Sequence, residues 1–145
     1  MKYLKLFENF EDIDKICDEY GILGYTINTD GSIDVDGDVN LSGVWLTKLP
    51  IKFNHVSGDF KCNDNLLDTL DGSPKSVGGD FDCDDNDLTT LEGSPKSVGG
   101  NFDCSWNKLT TLEGSPKSTG GSFYCSYNKI LTFEGAPNHV GAFYC

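Results

Sequence analysis

The chain has 145 residues and a formal net charge of -12, room for one domain and little more. That acidic balance argues against nucleic acid, whose phosphates need clustered cations, and against an anionic membrane surface. No stretch approaches the roughly 18 apolar residues of a membrane span.

Met1 to Phe10 carries lysines but no apolar run and no small-residue cleavage site, so it does not read as a secretory signal. A reducing compartment follows, with all six cysteines as thiols. Tyr3, Leu4, Phe7, Phe10, Ile13, Ile16, Cys17 and Tyr20 recur at helical spacing, and Gly21 is a helix stop. Tyr25-Thr-Ile27 and Ile33-Asp-Val35 alternate around Thr29-Asp30-Gly31, the pattern of a hairpin. Residues 1–34 are therefore expected to form a cap, one or two helices then a hairpin, covering the start of a repeat array over 35–145.

The array has a period of 21 residues, with starts at Val35, Val56, Val77, Val98, Thr119 and Val140. In columns, Phe60, Phe81, Phe102 and Phe123 form one stack, flanked by Val39 and Phe143. Leu41, Cys62, Cys83, Cys104, Cys125 and Cys145 form a second, and Asn65, Asn86, Asn107 and Asn128 a third. Leu46, Leu67, Leu88, Leu109 and either Ile130 or Leu131 follow, then Leu49, Leu70, Leu91, Leu112 and Phe133. Pro74, Pro95, Pro116 and Pro137 close each rung.

Phe-x-Cys puts both side chains on one face of a short strand. One rung cannot bury that face, whereas rungs stacked about 4.8 Å apart make a parallel sheet over a continuous core. An Asn at the corner offers a carbonyl and an amide to the turning backbone. The pairs Gly78-Gly79, Gly99-Gly100 and Gly120-Gly121 are expected at turns of positive φ.

Val77 and Phe81-Asp-Cys83-Asp-Asp-Asn86-Asp-Leu88 resemble the leucine-rich repeat, in a compact bacterial type with Pro on the return. Together with Asp-Gly-Ser-Ile-Asp-Val-Asp-Gly-Asp-Val and Leu-Thr-Thr-Leu-Glu-Gly-Ser-Pro, the chain resembles bacteriophage-encoded leucine-rich-repeat proteins of unknown function. That resemblance implies a viral origin, in the cytoplasm of an infected host or in the virion, and no known activity. The fold expected is a mainly β repeat solenoid. It has a leucine-rich-repeat-like parallel sheet of about five to six rungs, an α-helix and hairpin at its start, and a truncated, uncapped last repeat.

The cysteine column reads as small buried hydrophobes at Leu positions, since paired zinc-ligand spacing is missing. Asp30, Asp34, Asp36 and Asp38 suggest a calcium loop, but counting from Asp34 puts Val39 and Trp45 where Gly and Glu are required. Hairpin-turn and solvated roles suit them better. His55 and His139 occupy related rung positions, with no Ser, Cys or Asp pattern marking either as a base. Asp71, Glu92, Glu113 and Glu134 stack in register, as do Lys75, Lys96 and Lys117, a solvated face. No catalytic residue, metal site or cofactor is predicted.

The outward positions change from rung to rung. Asp59, Lys61, Asn63 and Asp64 give way to Asp80, Asp82, Asp84 and Asp85, then Asn101, Asp103, Ser105 and Trp106, then Ser122, Tyr124, Ser126 and Tyr127, and last Tyr144. Aromatics grouped on one exposed face mark a binding surface. The expected function is non-catalytic protein recognition of a host or viral partner. Trp106, Tyr124 and Tyr127 are the anchors and Asp80, Asp82, Asp84 and Asp85 the steering charge, with Asp103 and Tyr144 also in the partner-binding face. One alternative is self-assembly, with the last rung templating a second copy. Another is a capsid-packaged accessory protein, because Met1 to Glu11 resembles amphipathic packaging tags of phage proteins.

Overall fold

A computed structural model describes residues 2–145, with side-chain surroundings for residue 10 and residues 12–145. The sequence-expected apolar positions Tyr3, Leu4 and Phe7, and the tag reading of Met1 to Glu11, fall outside the described side chains.

The chain opens on α1 (Lys2–Tyr20). Gly21 ends it in the left-handed region at φ 66°. The Ile22 amide bonds back to Cys17 O at 2.8 Å, the six-to-one bond of a Schellman cap. Phe10, Ile13, Ile16, Cys17 and Tyr20 lay one helical stripe on the core. β1 (Tyr25–Ile27) and β2 (Ile33–Val35) form the expected antiparallel hairpin. Its turn is tied by Asp30, whose Oδ1 accepts from the Ser32 amide at 3.0 Å and the Ser32 hydroxyl at 2.6 Å. The Tyr25 hydroxyl donates to Asp14 at 2.6 Å, pinning hairpin to helix.

From β2 onward the chain winds as a β-solenoid of about five turns of roughly 21 residues. Each turn touches two parallel sheets. The first runs β1-β2-β4-β6-β8-β10, with β4 Phe53–Val56, β6 Ser76–Val77, β8 Ser97–Val98 and β10 Ser118–Thr119. The second runs β3-β5-β7-β9-β11-β12, with β3 Val39–Asn40, β5 Phe60–Lys61, β7 Phe81–Asp82, β9 Phe102–Asp103, β11 Phe123–Tyr124 and β12 Phe143–Tyr144. The sequence reading held the second sheet and the β1–β2 hairpin that opens the first. Past β4 the first sheet continues in two-residue strands of Ser-Val or Ser-Thr, each burying one side chain where Phe-x-Cys buries two, so it leaves no alternation to read.

The core follows the columns. Phe60, Phe81, Phe102 and Phe123 are fully buried and stack nearly parallel at 5.1–5.5 Å between ring centroids. Leu67, Leu88 and Leu109 line the next layer, and the last turn continues it with Ile130 rather than Leu131, which is 86% exposed.

The asparagine column does the expected work in full. Asn107 Nδ2 donates to Cys83 O at 3.0 Å, Cys104 O at 3.2 Å and Ser105 O at 3.2 Å, while its Oδ1 accepts from the Leu88 amide at 2.9 Å. Asn65, Asn86 and Asn128 repeat the arrangement. Each side chain thus clamps two adjacent rungs, and consecutive asparagines share a carbonyl.

Two expectations are overturned. The Gly-Gly pairs do not adopt positive φ; left-handed glycines sit instead at Gly72, Gly93, Gly114 and Gly135. The pairs are glycine because rungs approach too closely there: a Cβ on Gly99 would strike the carbonyl of Gly78, and one on Gly120 that of Gly99. Nor are all the cysteines thiols. Cys125 pairs with Cys145 as a disulfide, Cα to Cα 4.6 Å, while Cys17, Cys62, Cys83 and Cys104 are free and buried. In-register stacking brings every neighbouring pair of the column to that sort of distance, inside the range a disulfide spans.

Candidate functional site

The outward face of the second sheet gathers most of the residues picked from the sequence. Strand register places Lys61, Asp82, Asp103, Tyr124 and Tyr144 in one column across β5, β7, β9, β11 and β12. Tyr124 and Tyr144 stack at 5.1 Å. Burial is the largest influence on Asp82 and raises its pKa, with Lys61 pulling the other way. Asp84 is pushed up to about 6, first by burial and then by the charges of Asp103 and Asp82. These carboxylates crowd one another with a single lysine in the column to answer them.

A second column turns the corner of the rung. Gly43, Asp64, Asp85, Trp106 and Tyr127 all hold left-handed φ, between 50° and 66°. A Trp or Tyr in that region costs on the order of 1 kcal/mol or more. The side chains project from equivalent backbone, so Trp106 and Tyr127 stack face to face at 3.9 Å and 12°. They remain 56% and 68% exposed, respectively. The sequence placed these two on the face; their left-handed backbone is visible only in three dimensions.

Not every picked residue faces outward freely. Asp80 Oδ1 accepts from the Asn101 amide at 2.7 Å, one step of a ladder in which Asp38 holds Asp59, Asp59 holds Asp80, and Asn101 holds Ser122. Its carboxylate belongs to the rung turn. Asp103 Oδ1 takes the Ser105 amide at 2.9 Å, and Ser105 itself is buried.

Sequence reasoning missed two features. Trp45 also has left-handed backbone, at φ 63°, and is 78% exposed. With Leu66, Asp64 and Asp85 it borders an open cleft of about 380 Å³. Its only sequence signal was an indole in a column otherwise filled by Leu66, Asp87, Lys108 and Lys129.

The second feature lies on the first sheet, where Asp34, His55 and Ser76 are register partners. His55 Nδ1 and Ser76 Oγ lie 2.6 Å apart. Asp34 Oδ1, however, accepts from Asn54 Nδ2 at 2.7 Å, which holds its pKa down; that side chain, rather than the imidazole, occupies the carboxylate. The group lacks the carboxylate-to-ring bond that orients a catalytic histidine.

Among the described residues, no cluster of three or more His, Cys, Asp or Glu could hold a metal ion, and no helix is long and apolar enough to cross a membrane. Comparison of the chain with protein-family models, curated proteins and solved structures gave no match.

Proposed function

We propose that the chain is a non-catalytic recognition module whose second-sheet face binds a host or viral protein, in the manner its leucine-rich-repeat resemblance implies. The observation that carries this reading is the Trp106–Tyr127 stack, a large aromatic surface left in solvent beside crowded carboxylates. Their mutual stacking returns about 0.5–1.5 kcal/mol to the monomer, no more than the strained backbone costs, whereas buried Trp and Tyr are the usual anchors of an interface. The acidic rungs before them favour a partner with a basic patch and speed its approach.

The test is the double substitution Trp106→Ser with Tyr127→Ser, compared with wild type in affinity capture followed by binding measurement on the protein retained. Loss of the aromatic pair is expected to weaken binding at least tenfold, or about 1.4 kcal/mol. Raising salt is expected to slow association more than it speeds dissociation. Unchanged affinity in a folded double variant would reject the site.

A second reading, self-assembly, is favoured by one observation. Among the described residues β12 pairs on one side only, and Leu131, Phe133, Phe143 and Tyr144 near it are exposed. An open strand edge templates a further strand. Light scattering across a concentration series separates the two: mass that climbs with concentration, and stops climbing in Phe143→Lys, would make assembly the working function.

A further inference from the structure

We infer that the cleft at Trp45 is an arginine-binding site, taking the guanidinium of a peptide segment presented by another molecule. This site lies at the first rungs and stands independently of the Trp106–Tyr127 reading.

The lining fixes the chemistry. Gly43, Trp45, Asp64, Asn65, Leu66 and Asp85 surround a space of about 380 Å³, open to solvent and ample for a side chain. Asn65 offers nothing to a ligand, because its Oδ1 already accepts from Val44 and Leu46 amides at 3.2 and 2.9 Å. Its Nδ2 is committed to three carbonyls. What remains is an indole, a half-exposed leucine and two exposed carboxylates. Two carboxylates exclude an anion. Two alone are also too few for the oxygen-rich shell of a hard cation. An indole with carboxylates suits an organic cation, drawn both to the ring face and to the charge.

Arginine fits better than lysine. Its planar guanidinium stacks on an aromatic face and forks onto carboxylate oxygens, while its methylene stem covers an apolar neighbour such as Leu66. The occupant must come from elsewhere. The Lys and Arg total of eleven within these 145 residues is all lysine, so neither they nor a second copy of them can supply a guanidinium. No lysine borders the cleft, and the ion pair among the described residues, Lys108 to Asp87 at 2.7 Å, leaves Asp64 and Asp85 out.

The local backbone is specific to this place. Gly43 and Trp45 are both left-handed, at φ 66° and 63°, whereas the residues stacked after Trp45 (Leu66, Asp87, Lys108 and Lys129) are not. The first rung therefore departs from the repeat at the spot where an indole is set against the acidic corner.

The test uses the whole chain, labelled with nitrogen-15. The two tryptophans give two indole N–H signals, assigned with Trp45→Phe. Acetyl-Gly-Arg-Gly-amide is titrated in, beside the same tripeptide with citrulline or lysine in place of arginine. The expected result is a saturable shift of the Trp45 signal with the arginine peptide, at least about tenfold weaker with citrulline, which keeps the shape and loses the charge. Lysine should also bind more weakly, and Asp64→Asn with Asp85→Asn should weaken arginine binding to the citrulline level while leaving the amide spectrum folded. A Trp45 signal that does not move, or that moves equally with citrulline or lysine, would overturn the proposal. A shift confined to the Trp106 signal would overturn it too, while supporting the separate reading of that face.

Discussion

Deleting one asparagine from the corner ladder should cost an amount set by how many backbone groups it alone satisfies. In Asn107→Ala, Cys83 O keeps its bond from Asn86, and Cys104 O keeps its bond from Asn128. The Leu88 amide loses Asn107 Oδ1, and Leu88 is fully buried. One buried orphan donor costs about 1–3 kcal/mol, and the net hydrogen bonds add roughly 1 more, so a loss of about 2–4 kcal/mol is expected. Asn65 has only part of this backup, because Asn86 still serves Cys62 O but nothing else serves Leu41 O. Its Nδ2 serves Leu41 O at 2.8 Å, and its Oδ1 serves both Leu46 and Val44 amides. Asn65→Ala should therefore exceed Asn107→Ala by about 1–2 kcal/mol, the value of a further unsatisfied buried group. Urea unfolding followed by circular dichroism measures both, with the slope checked for two-state behaviour. A cost below about 0.5 kcal/mol for Asn107→Ala, or the reverse ranking, would refute shared-carbonyl clamping as the source of rung cohesion.

Three further outcomes follow from the same geometry. Gly99→Ala should destabilise by about 2 kcal/mol or more, because its Cβ meets the rigid backbone of Gly78, whereas Gly31→Ala, with nothing near it at φ 84°, should cost about 1 kcal/mol of backbone strain; thermal unfolding ranks the two. Asp84, raised to about 6 in the folded chain from an ordinary 3.8, binds more protons folded than unfolded between those values. Its contribution to stability is thus fully present below 3.8 and is lost as pH rises through about 6, and Asp84→Asn should flatten that part of a stability profile measured from pH 3.5 to 7. Burial raises the thiol pKa of Cys17, Cys62, Cys83 and Cys104, so alkylation without denaturant should leave all four unmodified, and reduction should add Cys145 at the exposed rim while Cys125 stays buried; labelling at Cys83 in the folded state would contradict the packed column.

Periodic chemistry was readable from the sequence because a solenoid writes it once per turn. Phe81 and Phe102 sit 21 positions apart in sequence and stack at 5.2 Å in space. The asparagine at the corner was readable for the same reason, and so was the Asp30 turn, whose local bonds need no tertiary partner. Features that depend on contact between rungs were not. Gly99 looks like a turn glycine until the carbonyl of Gly78 is seen beneath it. The bridge between Cys125 and Cys145 joins the one pair of the ladder spaced 20 rather than 21 residues apart, and its partner at the rim is exposed. On the candidate face, the sequence identified Trp106 and Tyr127 but did not show that Asp80 and Asp103 spend a carboxylate oxygen on backbone amides. Trp45 escaped because the first rung breaks the pattern that made the others legible.

Photo-crosslinking from two positions tests recognition by the second-sheet face most directly. A photoreactive phenylalanine replaces Tyr127 in one variant and Ser97, exposed on the first sheet, in another, and each is irradiated in cells that produce the chain. The account predicts a discrete crosslinked protein from position 127 that position 97 does not give. Equal products from both positions, or a product from position 97 alone, would contradict it.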